Sequence, residues 1–245
     1  MIPAEPILSV RGATKRFGGL VAVNDIDFDV AEHQVMGIIG PNGSGKSTTL
    51  NLISGALKPT AGTISLRGSP ITHLPPQTIT RRGISRTFQL VRMLPSLTVL
   101  ENVKAGAVFG HRRRWGNEAD GFAMRMLEKV GLARQANAHI GQLTYIDTKR
   151  VELARILASE PKILLLDEWL AGLNPTELTE GIKLINALRD EGRTIILVEH
   201  VMDAIRSLCD SCLVMSSGCK IAEGTPAEVL SDPEVIRAYL GDDDA

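Results

Sequence analysis

Eight consecutive residues constrain this chain more than any other stretch: Gly40-Pro41-Asn42-Gly43-Ser44-Gly45-Lys46-Ser47, with Thr48 following. Before them runs the apolar Val35-Met36-Gly37-Ile38-Ile39. After them a helical pattern begins at Lys46, groups Leu50, Leu52 and Ile53 on one side, and stops at Gly55. A buried strand feeding a glycine loop and then a helix is the context of the pattern G-x-x-x-x-G-K-[ST]. The glycines let successive backbone N–H groups turn inward as a nest for phosphates, and the new helix points its positive end at them. Lys46 is then placed to reach β/γ-phosphates and Ser47 to offer its hydroxyl to Mg²⁺. The bland alternative, a glycine-rich turn before a helix, lacks this combination of four fixed positions with strand before and helix after.

The rest of the chain reads as α/β. Ile163–Leu166 and Ile195–Val198 are unbroken apolar strands, as a sheet buried on both faces requires. They alternate with helices expected over Glu177–Arg189 and Val201–Leu208, with a further strand at Leu213-Val214-Met215, which predicts a parallel core. Nearer the start, Ile7–Val10 and Ile26–Val30 alternate around the Gly18-Gly19 turn, and Gly62–Leu66 adds another strand. Helical spacing dominates from about Thr87 to Ser159, in Val99–Val108, Phe122–Val130 and Val151–Ala158. The expected fold class is therefore α/β: a P-loop NTPase parallel-sheet core with an N-terminal antiparallel β subdomain and a helical subdomain. One domain spans 1–245, with 1–87 and 160–245 as the core and 88–159 as the helical part.

Composition removes several function classes. Lys and Arg number 27 against 28 Asp and Glu, so no basic field exists for gripping nucleic acid, and no acidic tail is present beyond Asp242-Asp243-Asp244. Aromatics at 4% argue against a base-stacking surface. No apolar run approaches the ~18 residues of a membrane-spanning helix. The start, Met1-Ile2-Pro3-Ala4-Glu5, lacks a basic n-region and an apolar h-region, so a soluble chain that stays where it is made is expected. Cys209, Cys212 and Cys219 are an odd set without the four ligands of a zinc site, and read as small buried thiols.

Chemistry-bearing residues fall at the carboxyl ends of the expected strands, the edge where α/β sheets bind ligands. Asp167 and Glu168 close Ile163–Leu166: the first can hold Mg²⁺, usually through water, and the second can orient or deprotonate an attacking water. Alone, such a pair is more often a helix N-cap; the upstream phosphate loop reverses that balance. His200 follows Thr194–Val198 and would donate to a γ-phosphate, against the usual reading of a satisfied structural histidine. Gln89, in Arg86-Thr87-Phe88-Gln89, stands where the core gives way to helices, and by itself would be a surface polar residue.

Together these residues resemble the ATP-binding subunit of ABC transporters, in order and over essentially the whole chain. The resemblance makes Gln89 the Q-loop glutamine, Asn174 in Ala171-Gly172-Leu173-Asn174 the D-loop residue, His200 the switch histidine and Phe17 the A-loop aromatic on adenine. It implies one ATP and one Mg²⁺ served by Lys46, Ser47, Gln89, Asp167, Glu168 and His200, with Ser47, Gln89 and Asp167 toward the metal. One element departs. The family signature Leu-Ser-Gly-Gly-Gln, which closes in trans over ATP held by the other subunit, here reads Leu143-Thr144-Tyr145-Ile146-Asp147. Thr144 keeps a hydroxyl, but Ile146 stands where glycine allows close backbone approach, and Asp147 puts a carboxylate near phosphate charge. Trp169 also replaces the usual proline after the catalytic glutamate. The signature departure predicts a second, different ATPase as partner, whose signature completes the competent site.

The wording of Arg16-Phe17-Gly18-Gly19-Leu20, Ala22-Val23-Asn24, Ala171–Pro175, Val198–Met202 and Ala238-Tyr239-Leu240-Gly241 resembles the larger ATPase of Liv-type importers of branched-chain and other hydrophobic amino acids. The related urea importers share many of these features, and the resemblance leaves both open. It implies two membrane permease subunits, indirectly a solute-binding protein, no nucleic acid, and a peripheral place on the cytoplasmic face of the inner (plasma) membrane. ATP sandwiched between two subunits would pull them together, and hydrolysis would release them. Arg112-Arg113-Arg114 reads first as a solvated charged face, and second as a contact to headgroups or a membrane subunit. A non-transport ABC ATPase on nucleic acid or ribosomes would call for tandem cassettes, coiled coils or a basic face. A GTPase would call for Asn-Lys-x-Asp, which this chain lacks.

Overall fold

The structure is a computed structural model that describes residues 5–240, so Met1–Ala4, Gly241 and the Asp242–Asp244 run lie outside the described residues. β1 (Leu8–Phe17) and β2 (Leu20–Val30) form a hairpin, and β3 (Val35–Ile39) runs into the glycine loop and α1 (Lys46–Ile53). β4 (Ala61–Leu66), β5 (Ser69–Pro70), α2 (Pro76–Arg82) and β6 (Ile84–Arg86) follow, then the helices α3 (Val99–Phe109), α4 (Gly116–Lys129) and α5 (Tyr145–Ala158). The second half alternates: β7 (Ile163–Asp167), α6 (Pro175–Asp190), β8 (Thr194–Val198), α7 (Met202–Leu208), β9 (Ser211–Ser216) and β10 (Cys219–Gly224), closing with α8 (Pro226–Ser231) and α9 (Pro233–Leu240).

Two sheets result among the described residues. One is antiparallel in the order β2-β1-β4-β5; the other runs β10-β9-β3-β8-β7-β6, parallel except for the edge strand β10. Successive side chains of a strand face opposite ways, and the two cores of this protein obey that rule. Met36, Ile38, Ile163, Leu165, Ile196, Val198, Leu213 and Met215 pack with α1 and the antiparallel sheet. Their neighbours Val35, Ile39, Leu164, Leu166, Ile195, Leu197, Cys212 and Val214 join the cluster that also takes in α3, α4 and α5. The parallel sheet is buried on both faces, which is why its strands show no polar alternation.

Two helices start earlier than their apolar spacing predicts. α4 begins at Gly116 rather than near Phe122, because its first turns are polar and bury only Ala119. α5 begins at Tyr145 rather than Val151, with Thr144 as N-cap accepting from the Asp147 amide at 3.2 Å. Its buried stripe opens on Ile146 and Lys149, and a lysine hides that stripe from a hydrophobic pattern. The short β5, α2, β6, β10, α8 and α9 have no counterpart in the sequence reading: two to eight residues carry too few turns of any period to register. No described helix is long and apolar enough to cross a membrane. Cys209 and Cys212 are buried and Cys219 half-buried.

Candidate active site

The glycine loop leaves the carboxyl end of β3 and turns by means no other residue tolerates. Gly40 has φ 145° and Gly45 φ 102°; a Cβ on Gly40 would lie 2.0 Å from the Met215 carbonyl oxygen, and one on Gly45 2.4 Å from that of Ala22. Gly45 is also the N-cap of α1, where no side chain caps the helix, so its positive end faces a cavity of 180 Å³. Ala22, Asn42, Gly43, Gly45, Lys46, Ser47, Thr48 and Glu168 line that cavity. Inside the loop, the buried Ser44 Oγ has no partner, a polar orphan of the kind a bound anion satisfies. Lys46 Nζ folds back to donate to the carbonyls of Gly40 and Pro41, both at 2.8 Å. Burial holds this lysine below its ordinary range, while Glu168 and Asp167 pull it upward.

Across the cavity stands the end of β7. Asp167 Oδ1 accepts from Ser47 Oγ at 3.3 Å, which joins hydroxyl and carboxylate where the sequence reading placed both. Hard oxygen donors of this kind suit Mg²⁺. Asp167 Oδ2 accepts from Arg86 Nη2 at 2.6 Å, with the two side chains only 7% and 3% exposed, and Arg86 Nη1 donates to Asn51 Oδ1 at 2.6 Å. Arg86 thus pairs with a buried carboxylate and fixes its direction. Glu168 has φ 49°, a left-handed conformation rare for a non-glycine residue. Its Oε2 accepts from Gln89 Nε2 at 2.9 Å, so Gln89 here meets Glu168 rather than the Ser47–Asp167 pair.

Other expected site residues stand apart from the cavity. His200 is exposed beyond β8 and does not line it. Phe17, 46% exposed, ends β1 with Lys15 Nζ 5.0 Å from its ring centre and does not line it either. Asn174 caps α6: its Oδ1 accepts from the amides of Thr176 and Glu177, each at 3.0 Å. Leu143–Asp147 lies at the N-terminus of α5, away from this chain's own cavity. Tyr145 is exposed, Ile146 buried, and Asp147 pairs with Arg150, which also reaches Glu180.

Sequence reasoning passed over four buried charged groups around this edge. Arg86 lay inside a quoted run but carried no flag. Glu199, quoted only as a spacer before His200, accepts the Leu170 amide at 2.7 Å; burial pushes its carboxyl up to about 7. Glu152 on α5 accepts the Phe88 amide at 3.2 Å and is likewise raised by burial to about 7. Lys149 is the fourth. A usable signal existed in the i, i+3, i+7, i+10 stripe Ile146–Lys149–Leu153–Ile156, whose single cation marks a buried charge that needs partners.

Comparison with known proteins agrees with this geometry. The family model for ABC transporters matches residues 23–171, and the model described as branched-chain amino acid ATP-binding cassette transporter matches 219–245. The chain is 42% identical to the high-affinity branched-chain amino acid transport ATP-binding protein LivG of Escherichia coli, over 98% of this chain and 99% of that one. It is also 42% identical to BraF of Pseudomonas aeruginosa, with the same coverage of 98% and 99%. Among solved structures it superposes on the ADP conformation of an ATP-binding cassette of an ABC transporter with TM-score 0.88 and 33% identity, covering 96% of this chain and 99% of that one. A nucleotide-free cassette gives TM-score 0.87 at 32% identity, covering 96% and 99%. Glycine loop, acidic strand end and full-length likeness converge: this chain belongs to the ABC transporter family of ATP-binding cassettes and is an ATPase of that family.

Proposed function

We propose that this chain is the ATP-hydrolysing subunit of an importer for branched-chain or other hydrophobic amino acids, peripheral on the cytoplasmic face of the inner membrane. The observation that carries the reading is full-length similarity to LivG and BraF, both named as branched-chain amino acid transport proteins, with the cavity residues in place. The glycine loop residues Gly40–Thr48 hold the phosphates and Phe17 the adenine. Ser47 and Asp167, with Gln89, would hold Mg²⁺, which neutralises phosphate oxygens during transfer. Glu168 orients the attacking water, and His200 closes on the γ-phosphate from β8 when the subunits meet. Residues 88–159 act as the helical arm that carries this closure to two permease subunits.

The signature segment supports an unlike partner. At the first turn of α5, Asp147 already sets negative charge on the positive helix end, and Arg150 accompanies it. A trans γ-phosphate would meet that carboxylate. A second ATPase with an intact signature would complete the cavity of this chain, while the reciprocal site stays weak. Removing the chain from its host should abolish uptake of labelled leucine and leave urea uptake intact; the reverse outcome overturns the substrate assignment. Brisk ATP turnover by the chain alone, rising faster than linearly with its concentration, would overturn the unlike partner.

A further inference from the structure

We infer that Lys149 is the positioning residue that holds the Glu168 turn in working geometry and fastens it to the helix bearing the trans signature. The inference rests on the reading of Glu168 given above. Lys149 is 2% exposed and sits on α5, two residues after Asp147. Its Nζ donates to the carbonyls of Glu168 at 3.3 Å, Trp169 at 2.9 Å and Ala171 at 2.8 Å. An ammonium group has three donors, and this one spends all of them on a single turn of backbone. The bond returns: Trp169 Nε1 donates to the Lys149 carbonyl at 3.2 Å, so the two residues interlock in both directions.

The turn needs such a clamp. Glu168 carries φ 49°, and a non-glycine residue stays in that region only where its surroundings over-determine it. From the β8 side the turn is held by the Glu168 amide to the Val198 carbonyl at 2.9 Å and the Leu170 amide to Glu199 at 2.7 Å; within it the Ala171 amide donates to the Glu168 carbonyl at 3.2 Å, and Gln89 donates to the Glu168 carboxylate at 2.9 Å. Lys149 supplies the opposing side. Trp169 is 2% exposed, and its ring rests where Gly181 leaves room: a Cβ there would come 3.3 Å from the indole. A proline at position 169 has no N–H to return the bond to α5. The departure at Trp169 and the buried lysine therefore form one device. Any shift of the signature end of α5 on meeting a partner is handed through one side chain to the carboxylate facing this chain's own nucleotide.

The test uses three variants of the full chain with MgATP, turnover being measured on the chain assembled with its partner ATPase and fluorescence on the chain alone. Lys149→Met should cut kcat by about 30- to 100-fold with KM for MgATP within about twofold, because misplacing a catalytic group costs rate rather than binding. Lys149→Arg, which can reach the same carbonyls, should recover most of that loss. Trp169→Phe, keeping the ring and losing the returned bond, should lower kcat about threefold. In a Trp115→Phe background, where Trp169 is the remaining indole, its emission should shift red in Lys149→Met and stay put in Lys149→Arg. A Lys149→Met protein with unchanged kcat overturns the inference. Should that variant fail to fold, an unchanged kcat in Trp169→Phe overturns it instead. A wild-type chain that binds no MgATP sinks the underlying reading, whereas a wild type and Lys149→Met that turn over alike sink the lysine's role alone.

Discussion

The glycine loop and the start of α5 both open on helix N-termini, and the two differ within one chain. At α1 the cap is Gly45, no side chain intrudes, and a cavity opens against Glu168. At α5 the cap is Thr144, whose hydroxyl is taken by the Asp147 amide, and the first turn carries a carboxylate and a buried isoleucine. The same backbone geometry is thus left available to an anion in one place and satisfied internally in the other. Partial charge at a helix end becomes a binding site only where the protein leaves it unspent.

The largest expected effect breaks the first region. Glu168→Gln should lower ATP turnover by about 10³-fold while nucleotide binding survives, a split read from kcat and from equilibrium binding. Next, Arg86→Met strands the buried Asp167 carboxylate, and should cost about 3–5 kcal/mol of stability in chemical denaturation along with most activity. The third concerns pH. Glu152 and Glu199, raised by burial from 4.5 to about 7, bind protons more tightly folded than unfolded. Their contribution is therefore most favourable below about 4.5, and is lost as pH rises toward 7. Each carboxyl costs about 3 kcal/mol at most above pH 7. Melting temperature should fall between pH 5 and 8, and Glu152→Gln should flatten that fall. The smallest effect sharpens the comparison: Ile146→Gly, alone in an unlike pair, should change turnover by less than about twofold, because the α5 site contributes little to it. A tenfold gain would mean the two helix ends differ less than their chemistry implies.

Much of the first region was legible from spacing. Gly40–Ser47 and Asp167-Glu168 lie where the strand pattern ends, and the structure joins them through Ser47 and Asp167. The start of α5 was legible only as a departure from a motif, because periodicity began the helix at Val151. The charged residues beneath the site were not legible as partners. Arg86 meets Asp167 across neighbouring strands, and Glu199 meets the Leu170 amide from the far side of the turn. Asn174, matched to the D-loop by resemblance, spends its side chain capping α6, a contact that only the fold shows.

Local order was written in the chain. Short apolar runs buried on two faces, a glycine loop and a lysine-hydroxyl pair need only neighbours within a few residues, and these specify the family, the sheet and the phosphate cradle. Pairings between distant segments belong to the tertiary structure. Whether Lys149 is a surface cation or the clamp on Glu168, and whether Gln89 faces a carboxylate or a metal, depends on which carbonyls and carboxylates folding brings within 3 Å or so. Burial then makes those contacts consequential, because a charge removed from water must find its partners inside the protein.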